Sequence, residues 1–119
     1  MTVFGDILRR AFENVPGARG AAFADGEGET VDTFSAQIGD TGLRLIGAHW
    51  GVIYALARAA WKPRLGELSQ LLLEFETQRV LIRRVTDDYF VVMALAPEGN
   101  LACAVRALDR AEGELREQM

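Results

Sequence analysis

Asp25, Glu27 and Glu29 stand at alternate positions of one short acidic stretch, the carboxylate spacing with which an oxygen-ligated calcium loop begins. The rest of that loop is missing, because Thr30 stands where the turn glycine is needed and Ala36 where the bidentate glutamate belongs. Gly26 and Gly28 open a G-x-G, but Val31 fills the third glycine position and the neighbouring carboxylates repel phosphate. His49 is the only histidine and Cys103 the only cysteine, too few for a zinc site. His49 projects from an apolar helical arc and is expected to be a hydrogen-bonded core residue. Cys103 stands near the start of a final helix, where a thiol pKa can fall, yet the run Leu101 to Val105 around it reads as packing. Asp87 and Asp88 are adjacent carboxylates, expected to be a solvated reversal rather than an acid/base pair. With no nucleophile–base pair, metal cluster or phosphate loop, the chain is expected not to be an enzyme and to carry no metal or other cofactor.

The elements that must position these residues can be read from periodicity. The chain has 119 residues, half of them hydrophobic, which is enough for one core and predicts one domain over residues 1–119. Its net charge is -4 with scattered cations, so no basic stripe tracks a nucleic-acid backbone. A single cysteine fits a reducing compartment, no secretory leader is expected, and the longest apolar run, Tyr89 to Pro97, is too short for membrane insertion. The cytoplasm is the expected location.

Val3, Phe4, Ile7, Leu8, Ala11, Phe12 and Val15 recur at helical spacing, predicting a first helix from Thr2 to Val15 that Pro16-Gly17 ends. Gly17 to Ser35 reads as a β-hairpin reversing at Asp25-Gly26-Glu27-Gly28. Asp40 or Thr41 offers an N-cap for a long second helix running to Trp61, before Lys62-Pro63. Three strands follow: Leu68 to Glu76, Arg79 to Val85, and Tyr89 to Ala96, the last apolar enough to be central. Glu98-Gly99-Asn100 leads into a final helix whose buried stripe is Leu101, Ala104, Val105, Leu108, Ala111 and Leu115.

The order helix, two strands, helix, three strands, helix resembles the roadblock/dynein-light-chain (LAMTOR-like) family, which includes the bacterial Mgl polarity proteins. GARGAAFADGEGETV is similar to the first hairpin of that family, and DDYFVVMALAPEGNLACAVRAL to its last strand and final helix, most closely in the short Mgl-type members. The resemblance implies an α/β (α+β) fold of order αββαβββα, with a five-stranded antiparallel sheet between one helix and two helices. It also implies dimerisation and association with small Ras-like GTPases or other roadblock-type subunits, in bacterial cell polarity or a similar process. Two functions follow from it. The first is a non-enzymatic dimeric adaptor or scaffold, and the second is an Mgl-type activator of GTP hydrolysis, in which the dimer repositions the GTPase's own catalytic residues or, alternatively, Arg44 or Arg58 supplies charge in trans.

Surfaces for those partners can be projected on the second helix at about 100° per residue. Ile46, His49, Trp50, Ile53, Leu56, Ala57 and Ala60 form an arc suited to lying on a sheet. Leu45, Ala48, Val52, Ala55 and Ala59 follow the spacing of a helix–helix seam and are expected to meet a second copy. Arg44, Gly47, Gly51, Tyr54 and Arg58 form the remaining arc. A mid-helix glycine costs about 1 kcal/mol relative to alanine, so this arc reads either as a partner-binding face or as a tolerated solvated one. The first hydrophobic strand of the second half, around Leu71 and Leu73, is expected at a sheet edge, paired with the same strand of a second copy or covered by a loop or the hairpin.

Overall fold

A computed structural model of the chain describes residues 2–27, 29–35 and 40–119, with side chains of the last stretch described from residue 49 onward. The elements are α1 (Val3–Phe12), β1 (Ala18–Asp25), β2 (Thr30–Ser35), α2 (Asp40–Leu65), β3 (Gln70–Glu74), β4 (Arg79–Arg84), β5 (Tyr89–Leu95) and α3 (Leu101–Glu117). The five strands make one antiparallel sheet in the order β2-β1-β5-β4-β3. Helices α1 and α3 pack on one face and α2 on the other, giving the layering expected from the element order.

β5 lies in the middle of the sheet and is buried on both faces, which is why its sequence is continuously apolar. Val91, Met93 and Leu95 point into the α1/α3 core with Phe12, Phe23, Leu81, Leu108 and Leu115. Phe90 and Val92 point the other way, into a smaller cluster with Val80, Ile82 and Tyr54 under α2. β3 is an edge strand, as expected, and it pairs only with β4 among the described residues.

Local signals explain the ends. Thr2 caps α1, its hydroxyl accepting from the Gly5 amide at 3.2 Å, and the Asn100 side chain caps α3 by accepting from the Cys103 amide at 3.0 Å. The α1 helix stops at Phe12 rather than Val15, although Val15 stays buried in the following turn. α2 runs past Trp61 to Leu65, through Pro63. Proline keeps a helical φ and here costs only one amide donor, while Gly66, at φ +86°, closes the helix by donating its amide to the Lys62 carbonyl at 2.9 Å. At the acidic turn, Asp25 Oδ1 accepts from the amides of Glu27 and Glu29, both at 2.9 Å. That carboxylate serves the backbone reversal.

The α1–β1 and β5–α3 connections touch backbone to backbone. Gly17 has φ +87°, and a Cβ there would lie 2.5 Å from the Gly99 Cα. The Pro16 and Gly17 carbonyls accept from the Asn100 and Ala96 amides at 3.0 and 2.8 Å, tying the first helix to the start of the last.

Candidate functional site

α2 is apolar on more than one side, so its rotation decides which residues a partner can reach. The observed rotation differs from the helical projection. Gly51 and Tyr54 are buried against the sheet, not displayed on an open arc. The Tyr54 ring stacks on Phe90 with centroids 5.9 Å apart, and its hydroxyl donates to the Leu68 carbonyl at 2.5 Å. Burial holds that hydroxyl in its protonated, donor form by raising its pKa. Leu56, placed by projection in the core arc, is instead 66% exposed, and His49 and Ala60 are exposed as well. Trp50, Ile53 and Ala57 are half-buried. The physical reason is that a helix face awaiting another surface is as apolar as one facing a sheet, so apolar spacing alone does not fix which side turns inward.

Arg58 was read as a partner anchor, but its guanidinium is engaged within the chain. Nε and Nη2 donate to the two carboxylate oxygens of Glu67, both at 2.8 Å, and Nη1 donates to the Asp87 carbonyl at 3.2 Å. Lys62 Nζ lies 2.9 Å from Glu67, and Arg84 bonds the Asp87 carboxylate at 2.6 Å. The hydrogen bonds from Arg58 and then Lys62 pull the Glu67 pKa down to about 2, and the Asp87 carboxyl is lowered chiefly by Arg84. This chain of charges joins the end of α2, the segment entering β3 and the β4–β5 turn. Asp87 is thus an ion-pair member, whereas the sequence showed it only as a polar reversal. Beside the clamp lies a cavity of about 360 Å³ lined by Gly51, Tyr54, Ala55, Arg58, Asp87 and Tyr89.

The seam residues Val52, Ala55 and Ala59 all face solvent. Val52 is 57% exposed, and Leu56 extends the same apolar surface. Arg44, Leu45, Gly47 and Ala48, also assigned to partner surfaces, lie outside the residues whose side chains are described. On β3, Leu71 and Leu73 are half-buried against the α2-side cluster, while Leu72 and Phe75 are exposed. Trp50, on the sheet-facing side of α2, has its ring 5.8 Å from that of Phe75. Helical and strand spacing does not mark Phe75, Leu56 or Trp61 as interface residues. The only signal for them was an excess of apolar residues over what one core needs.

Among the described residues no group of three or more histidine, cysteine or acidic side chains is arranged to hold a metal ion, and no helix is long and apolar enough to cross a membrane. What the arrangement offers chemically is surface: an apolar helix strip, an open strand edge and a charge clamp fixing their relation.

No protein-family model and no curated protein sequence matches the chain. Solved structures do. A Roadblock/LC7 domain from Streptomyces avermitilis superposes with a TM-score of 0.85 at 13% identity, over 96% of this chain and 95% of that one. MglB of Myxococcus xanthus gives 0.87 at 13% identity, over 99% and 95% of the two chains, and MglC of the same organism gives 0.72 at 25% identity, over 99% and 100%. The chain therefore has the roadblock/LC7 fold, like that of the Mgl-type proteins, as the resemblance in its sequence implied.

Proposed function

We propose that the chain is a non-enzymatic dimeric adaptor in a small Ras-like GTPase system, binding the GTPase or another roadblock-type subunit. The observations that carry this reading are the solvent-facing apolar strip of α2, Val52, Ala55, Leu56 and Ala59, and the edge of β3 that is unpaired among the described residues. A contiguous exposed apolar surface marks an interaction site, and an open strand edge seeks a partner strand. A second copy related by a two-fold axis satisfies both, bringing α2 against α2 through small residues and extending the sheet from β3 to β3. The fold shared with MglB and MglC supports placing the dimer in a GTPase system. Arg58 is a poor source of charge in trans for GTP hydrolysis, since Glu67 and Asp87 already hold it.

Sedimentation of the purified chain, followed by titration with the small Ras-like GTPases and roadblock-type proteins of the same organism, tests the reading. The expected result is a dimer at micromolar concentration that binds one of these proteins and leaves GTP turnover unchanged. A monomer, or turnover of GTP by the isolated chain, would sink it. Acceleration of the GTPase on binding would replace the adaptor by an activator.

A further inference from the structure

The face of the sheet opposite α2 carries a second surface, and it differs in charge. Between the end of α1 and the first half of α3 lies a groove of about 230 Å³. Its floor includes Ala11, Val15 and Ala107, all buried and apolar. Arg106 and Arg110 line it one helical turn apart, both exposed. Neither forms an ion pair or a side-chain hydrogen bond with another described residue. That sets them apart, because the other arginines with described side chains, Arg64 excepted, each contact an acceptor. Arg10 at the opposite wall is held by Glu114 at 3.4 Å, and Arg83 takes up Asp109 and Glu112 at 2.7 and 3.1 Å.

We infer that this groove docks an acidic segment of another protein, carboxylates pairing with Arg106 and Arg110 and a small apolar side chain resting on the alanine and valine floor. Charge complementarity selects the occupant. Guanidinium groups match carboxylates in planar, two-bonded geometry, and two unpaired ones on a chain of net charge -4 form a local cationic spot in an acidic field. Two arginines one helical turn apart are too few to track the extended phosphate backbone of a nucleic acid. A membrane surface fits poorly too, because the groove is concave and none of the exposed large apolar side chains lines it. This surface is independent of the dimer strip on α2, so both can be occupied at once.

The test uses a fluorescent peptide of alternating glutamate and alanine, titrated by anisotropy into the full chain. Saturable binding that weakens as salt is raised is expected, with the double variant Arg106→Glu/Arg110→Glu about tenfold weaker or worse and Arg64→Glu like wild type. Cys103 supplies a position marker. It is a free, partly exposed thiol lining the groove, so bound peptide should slow its alkylation. Absence of saturable binding, an equal loss in Arg64→Glu, or unprotected Cys103 would each overturn the inference. Capture of phosphatidylserine vesicles in preference to the peptide would also overturn it. Both arginines are exposed, and matching thermal melts of the variants would show that the fold survives.

Discussion

Replacing Tyr54 by phenylalanine separates a packing role from a partner-binding role by one atom. The tyrosine is 6% exposed, its ring stacked on Phe90 and its hydroxyl bonded to the Leu68 carbonyl. Tyr54→Phe keeps the ring and removes only that bond. A net loss of about 1 kcal/mol is expected, with up to about 3 if the orphaned carbonyl stays dry. Leu68 is half-buried, so water can reach its backbone and the lower figure applies. For a chain of 119 residues the unfolding entropy is about 250 cal/mol/K, and 1 kcal/mol lowers Tm by about 4 °C. Tyr54→Leu also forfeits the ring contact and should cost about 3 kcal/mol. Urea and thermal unfolding at a fixed protein concentration, which holds dimerisation constant, measure both. Partner affinity should be unchanged in Tyr54→Phe, since the hydroxyl points at the chain's own backbone. A variant that melts like wild type but loses its partner would refute the assignment and restore Tyr54 to the docking face.

Three further outcomes follow from the same geometry. Glu67 has a carboxyl pKa of about 2 in the folded chain against 4.5 as an ordinary glutamate, so its contribution is complete above pH 4.5 and is lost as pH falls toward 2; acid titration of the melting temperature should therefore be steeper in wild type than in Glu67→Gln across that window. Gly17→Ala combines a positive φ with a Cβ placed 2.5 Å from Gly99, and chemical denaturation should show a loss of about 2 kcal/mol or more. Ala55→Glu and Leu56→Glu put charge on the apolar strip: sedimentation should show separated subunits, while secondary structure by circular dichroism is retained, since surface substitutions change monomer stability by only about 0.5 kcal/mol.

Much of the fold was legible because its signals are local. Pro16-Gly17, the acidic turn, the cap at Asn100 and the continuous apolar run of β5 each specify an element with little help from elsewhere. The end of α2 was not legible, since Pro63 reads as a terminator, yet the helix continues through it to Leu65 with one amide donor missing from its last turns. The candidate site was less legible still. Projection assumes that one arc is apolar and the rest polar, and in α2 Leu56, Val52 and Trp50 all compete for the inward position. The contest was settled by partners far away in sequence, Phe90 and the Leu68 carbonyl for Tyr54, Glu67 and Asp87 for Arg58. No spacing rule within a helix contains that information.

The clamp also explains why the chain retains charges beside an apolar strip. A helix apolar on several sides gains nearly as much burial in one rotation as in another, so hydrophobicity alone leaves its orientation weakly determined. The pairing of Arg58 with Asp87, on the β4–β5 turn, ties α2 to one orientation on the sheet, and Glu67, just past the end of α2, joins Arg58 and Lys62. Their exposure makes each pair a small contributor to stability. Their value lies in direction: Arg58 held toward the β4–β5 turn keeps Tyr54 inward, which leaves Val52, Ala55, Leu56 and Ala59 outward. In the proposed dimer, specificity for a second copy would rest on a few polar contacts that never touch that copy, while the apolar strip would supply the affinity.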